Sequence, residues 1–136
     1  MYRNILIPID PAHEERHATA IEMATRLAED NSATLTAVTV LEPVPRHVAS
    51  QVGRGVLKKA NEMAMGTLRH AVGERSEIVT KLLEGNAGVE IVEFAKNNKI
   101  DCIVVASHKP GLVDYFLGST AARVVRHAPC SVHVLR

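Results

Sequence analysis

A chain of 136 residues with 46% hydrophobic content has room for one compact domain, residues 1–136, whose core is covered on two faces, and no room for a second. Charged residues make up 23% but cancel to a net charge of +1, and aromatics are only 3%, so there is little to seek phosphate backbones or stack on bases; a nucleic-acid reader is excluded. The opening MYRNILIPID lacks the form of a signal peptide, and no apolar run approaches the roughly 18 residues of a membrane span, so the expectation is a cytoplasmic protein with no membrane partner.

Five short apolar runs alternate with four segments of helical period, the pattern of a parallel sheet built from βαβ units. The run from Asn4 to Ile9 is apolar almost throughout and stops at Pro8-Ile9-Asp10-Pro11, which predicts a central strand buried on both faces. From Glu14 to Asp30, Ala18, Ile21, Ala24 and Ala28 recur at helical spacing, and Asn31-Ser32 supplies a stop. The β-branched run Ala33 to Leu41 is the second strand. After a loop with Pro43, Pro45, Gly53 and Gly55, a second helix is expected over Val56 to Val72, with Val56, Ala60, Met63, Thr67 and Ala71 along one face and a start several residues earlier also compatible. Ser76 to Leu83 is a more polar strand suited to an edge. A third helix follows EGNAG, its stripe either Val89, Val92 and Ala95 or Ile91 and Ala95, before Asn97-Asn98 ends it. Asp101 to Ala106 is a fourth strand, apolar on both faces; Ser119 to His127 is a fourth helix; SVHVLR closes the chain as an alternating edge strand.

Right-handed crossovers give such a chain a doubly wound sheet in the order 3-2-1-4-5, with 2-1-3-4-5 as the other fitting order. In the first, strands one and four are neighbours whose helices leave to opposite faces, opening a ligand crevice beyond their carboxyl ends. Pro8-Ile9-Asp10-Pro11 and the segment from Ala106 onward would line it.

Several motifs compete for the chemistry. His13 to His17 reads HEERH, which matches the H-E-x-x-H of zinc proteases, but it falls in the first turns after a strand and Pro11, with no third ligand in a matching context; a chance match on a charged helix start is the better reading. Gly53-Arg54-Gly55 does not follow a strand and reads as a flexible connection, and neither a Walker A sequence nor a G-x-S-x-G elbow is present. Cys102 and Cys130 make neither CxxC nor a metal spacing, so both read as buried reduced thiols. Gly118-Ser119-Thr120 stands at a helix start, where backbone N–H groups and hydroxyls suit a phosphate, although Ser119 or Thr120 could equally cap that helix. Asp10 could accept bonds from ribose hydroxyls, hold Mg2+, or cap the first helix. His108 and Lys109 are the cationic residues of the facing loop.

These residues carry a resemblance. NILIPID, TAVTVL, EGNAGVEIVEFAKNNKIDCIVVASH and above all LGSTAARVVRHAPCSVHVLR resemble the universal stress protein family over the whole length and in the same order. The resemblance implies a Rossmann-like α/β sheet in the order 3-2-1-4-5 and a homodimer formed through the last strand, with a tetramer as a larger alternative. Nucleotide-binding members carry G-x2-G-x9-G-[ST] after strand four. By similarity, nucleotide contacts fall to Pro8, Ile9 and Asp10, to Val40 beside the adenine, and to Ala106, Ser107, His108, Lys109, Gly118, Ser119 and Thr120. Gly118 and Ser119 match the last pair of that motif, and Ala106 replaces its first glycine. The second glycine has no counterpart: Lys109 takes its place with one residue fewer before Gly118, or a single deletion removes it. The Ser107-His108-Lys109-Pro110 form is similar to a subgroup of small stress proteins for which ATP binding is still expected, Lys109 supplying charge where backbone would otherwise approach.

The expected function is that of an ATP-binding stress-response regulator working as a homodimer on an unidentified protein partner, with Mg2+ as the accompanying ion. The alternatives are a dimer that binds no nucleotide and, third, a slow ATPase using Mg2+ held by Asp10. Oligomerisation has its own motive, since an alternating edge strand such as SVHVLR is shielded by pairing with its copy.

Overall fold

The computed structural model describes residues 1–106 and 117–136. In chain order they form β1 (Asn4–Pro8), a 3-10 turn (Pro11–Arg16), α1 (Ala18–Asn31), β2 (Thr34–Leu41), a short α2 (Arg46–Ala49), α3 (Arg54–Val72), β3 (Ile78–Glu84), α4 (Ala87–Asn97), β4 (Cys102–Ala106), α5 (Ser119–His127) and β5 (Ser131–Leu135). All pairings are parallel and the order is β3-β2-β1-β4-β5, the first of the two expected. β1 lies at the centre, and β3 is an edge, as its polar sequence suggested.

Alternate strand residues sort onto two faces, as the period of a strand requires. Ile5, Ile7, Ile9, Leu35, Ala37, Ile78, Cys102 and Val104 pack with Ala20, Ile21, Ala24 and Ala28 of α1 and Leu68 and Val72 of α3. Leu6, Val38, Ile103 and Val105 face the other way, against Ile91, Val92 and Ala95 of α4 and Ala121 and Val124 of α5. The sheet is therefore doubly wound, and the helices that follow β1 and β4 cover opposite faces. Gly88 allows the second pair of helices to meet closely: a Cβ there would lie 2.7 Å from Cδ and 3.1 Å from Cβ of Arg123.

Two helices depart from the sequence expectation. α1 begins at Ala18 rather than Glu14, because His13 takes non-helical angles (φ −140°, ψ 49°) and the preceding turn is held by bonds to Asp10 described below. The buried stripe of α3 is Ala64, Leu68 and Val72, not the Val56 to Ala71 stripe; Val56 is 57% and Met63 65% exposed. α1 and α4 end without glycine: Ser32 and Lys99 adopt left-handed angles (φ 53° each), and the following N–H groups return to Ala28 and Ala95 carbonyls.

Both cysteines are free; Cys102 is fully buried, whereas Cys130 is only half-buried, against the expectation of two buried thiols. They pack into clusters on opposite faces of the sheet. Burial pushes the Cys102 thiol up to about 11, with Cys130 and Asp101 adding to it, and burial followed by Asp101 raises Cys130 as well. Since the thiolate is the reactive form, the native protein at pH 8 is expected to release colour from a disulfide reagent slowly at Cys130, and at Cys102 only after denaturation. Rapid reaction of both thiols in the folded state would contradict this placement.

Candidate functional site

The carboxyl ends of β1 and β4 lie side by side at the point where the chain turns to opposite faces of the sheet. At the first of these ends the ladder to β2 closes at Pro8 and Val38, and one further bond, from the Ile9 N–H to the Val38 carbonyl at 2.7 Å, carries the pairing a residue beyond the strand. The Ile9 carbonyl accepts from the hydroxyl of Thr39, itself fully buried, at 2.9 Å. With its side chain 3% exposed in the core and both main-chain groups engaged, Ile9 fixes the turn rather than facing the crevice.

Asp10 is the residue that the turn presents. Its N–H donates to Nε2 of His17 at 3.0 Å, its Oδ1 accepts from the Ala12 N–H at 2.9 Å, and its Oδ2 lies 2.9 Å from Nδ1 of His13. The His13 N–H in turn donates to the Asp10 carbonyl at 3.1 Å. Both histidines of the HEERH stretch are thus turned toward Asp10. A metal shared between them would need consecutive helical turns, and the chain breaks its helix at His13.

Burial acts to raise the Asp10 carboxyl, but the hydrogen bond from His13, the Ala12 N–H and the charge of His13 outweigh it, and the group lies below its ordinary value of 3.8. It therefore presents a carboxylate, 54% exposed, at neutral pH. A carboxyl lowered on folding stabilises the protein above 3.8 and loses that contribution as pH falls through its lower folded value. Thermal midpoints from pH 6 to pH 2 are expected to fall less steeply at the acid end for Asp10→Asn than for the parent. Parallel curves would contradict the assignment.

Across the sheet, Ala106 ends β4, paired with Leu135 and half-buried against the α1 side of the core. Ser107, His108 and Lys109 lie outside the described residues. Leu117 packs on the α4 and α5 side, and α5 starts at Ser119 with exposed Gly118 in the cap position (φ −57°, ψ 157°). The Ala122 N–H donates to the Gly118 carbonyl at 2.8 Å. Gly118 in the cap position has no side chain to offer, and Ser119 and Thr120 stand inside the first turn rather than at its cap. The helix start carries the positive end of the α5 dipole, about half a charge. Val40, near the end of β2, is half-buried against the same side of the core and pairs with Leu83.

The arrangement offers an acceptor on one side and a donor-rich helix end on the other, suited to a ligand with hydroxyl donors at one end and anionic oxygens at the other. Asp10 was legible from its place at a strand end. His17 and Thr39 were not: their bonds join residues 7 and 30 apart through the fold, and the histidine spacing drew attention to a metal instead. Among the described residues no group of three or more metal-binding side chains is gathered, and no helix is long and apolar enough to cross a membrane.

Comparison with known proteins agrees with the fold. The profile of the Universal stress protein family matches residues 1–136. Universal stress protein MJ0531 of Methanocaldococcus jannaschii is 31% identical over 143 aligned positions, covering 100% of this chain and 83% of that protein. The solved structure of protein MJ0577 superposes with a TM-score of 0.80 at 21% identity, over 99% of this chain and 96% of the other. A universal stress protein in complex with cAMP superposes at 0.65 with 22% identity, covering 99% and 97%. That of Archaeoglobus fulgidus in complex with dAMP does so at 0.63 with 18% identity, covering 99% and 98%. With its whole length matched and its sheet in the same doubly wound form, this chain belongs to the universal stress protein family.

Proposed function

We propose that this chain, as a single domain, binds an adenine nucleotide at the crevice between β1 and β4, with ATP as the physiological ligand, and serves in the cytoplasm as a homodimeric, nucleotide-dependent regulator of a stress response. The observation that carries the reading is the half-exposed, ionised Asp10 carboxylate, held on a hydrogen-bonded turn on one side of the strand switch, with the α5 start, its cap position occupied by Gly118, on the other. A carboxylate in that position accepts from ribose hydroxyls, while the helix start and the close approach allowed by Gly118 suit phosphate oxygens. The cAMP and dAMP complexes of structural neighbours support an adenine nucleotide as the ligand class. Lys109 would supply cationic charge where the family pattern has glycine.

Mg2+ fits as a companion of the phosphates rather than as a resident ion. Asp10 offers one carboxylate, and each of its oxygens already has a bonding partner, whereas Mg2+ prefers six oxygens in octahedral array and keeps several waters. The homodimer would form through β5, an edge strand whose half-buried Val132 and Val134 gain cover from a second copy.

Mass spectrometry of the small molecule released on denaturation, with calorimetric titration of Mg-ATP into nucleotide-free protein, tests the proposal. An adenine nucleotide in near-stoichiometric amount and saturable binding are expected. Release of none, with no thermal shift on adding Mg-ATP, would favour instead a stress-protein dimer acting only through protein partners.

A further inference from the structure

The bonds around Asp10 divide into two kinds. The Ala12 N–H and His13 ring hold the carboxylate itself, whereas His17 and Thr39 hold the main chain that carries it. Asp10 has left the sheet: the β1 and β2 ladder ends at Pro8, its last outlying bond is spent on Ile9, and Pro11 has no N–H to offer. The Asp10 N–H is therefore the first donor of the turn without a strand to receive it, and it is the one that His17 takes up, at 3.0 Å. His17 stands in the cap position of α1, is 5% exposed, and makes no cap bond with its side chain; its ring is directed back to the turn.

To accept a hydrogen bond at Nε2 the imidazole must be neutral, with its proton on Nδ1. The role is thus chemically specific. Glutamine can place an acceptor oxygen at a similar reach, whereas leucine fills comparable volume and accepts nothing.

We propose that His17 is a positioning residue of the nucleotide site, its Nε2 holding the Asp10 main chain so that the carboxylate meets the ligand from a turn already set. The inference rests on the nucleotide reading above. A ligand that meets a turn already ordered does not bear the cost of ordering it. Thr39 secures the Ile9 carbonyl from the other side, so that removing His17 frees one end of the turn while leaving the other anchored. His17 touches no ligand in this scheme; it acts through Asp10.

The test compares His17→Leu and His17→Gln in the full chain by calorimetric titration with Mg-ATP, beside an observation that needs no nucleotide. Leu is expected to weaken binding by roughly tenfold or more, and Gln to restore it to within about threefold of the parent, a pattern that lost packing alone does not give. In the nucleotide-free parent at neutral pH, nitrogen-15 spectra of the ring should show the Nδ1–H form with Nε2 unprotonated. Equal binding by Leu and Gln variants, strong or weak, overturns the proposal, as does the Nε2–H form. Should the Leu variant fail to fold, the Gln variant and the ring spectra still decide, because loss of binding in Gln with the fold intact is also contrary. If the parent binds no nucleotide, the site reading falls with this role in it, while the ring spectra still report separately on the bond to Asp10.

Discussion

Replacement of Gly118 by valine is expected to abolish retention of adenine nucleotide, lowering affinity by about a hundredfold or more, while the protein remains folded. Gly118 is exposed, and its angles, φ −57° and ψ 157°, are open to any residue, so a side chain adds no backbone strain. The folding cost is confined to a poorer residue at a helix cap, about 1 kcal/mol. The binding cost is of another kind. A branched side chain would stand over the first N–H groups of α5, where the phosphate oxygens of the proposed ligand would approach to hydrogen-bond distance. Titration with Mg-ATP together with a thermal melt separates the two. A variant that binds as the parent does would remove Gly118 from the site, and a variant that unfolds would show that the loop before α5 matters more to the fold than its angles imply.

Leu68→Ala is expected to destabilise the fold by about 2–5 kcal/mol, and Met63→Ala by no more than about 0.5 kcal/mol. Leu68 is fully buried between α3 and the sheet, so its removal leaves a hole in the cluster that also holds Ile5, Ile7 and Ile9. Met63, five residues earlier on the same helix, is 65% exposed. Urea midpoints at unchanged slope measure the difference. The pair also tests a reading of sequence, because helical periodicity alone picks Met63 for the core.

That misreading has a physical origin. α3 carries apolar residues around more than one side: Val56, Ala60 and Met63 on one flank, Leu57, Ala64, Leu68 and Val72 on the other. Period alone does not say which flank meets the sheet. The strands were easier, because β-branched apolar runs such as Thr34–Leu41 have few other ways to be buried. Strand order needed more than local pattern. Both candidate orders satisfy right-handed crossovers, and the resemblance to a family chose the one observed. The start of α1 was misplaced because Asp10 and His13 divert the backbone into local bonds that a propensity scale does not register. For the candidate site, the placement of Asp10 at a strand end and of Gly118 and Ser119 at a helix start was legible in the sequence. The groups that fix Asp10 were not, since Thr39 and His17 reach it only once the fold has formed.

The central place of β1 has a consequence for how the chain is made. One neighbour, β2, follows soon after it, but the other, β4, begins at Cys102, and the bonds that join them at the start, from the N–H groups of Arg3 and Asn4 to the Asp101 carboxylate, span 98 and 97 residues. During synthesis β1 therefore waits, with one edge unpartnered, until β4 has emerged. Contacts of such long range slow folding and expose strands to wrong partners. Newly made chains are thus most vulnerable to mispairing before β4 arrives, and a chain cut short ahead of Asp101 leaves its central strand with an open edge that other chains can join.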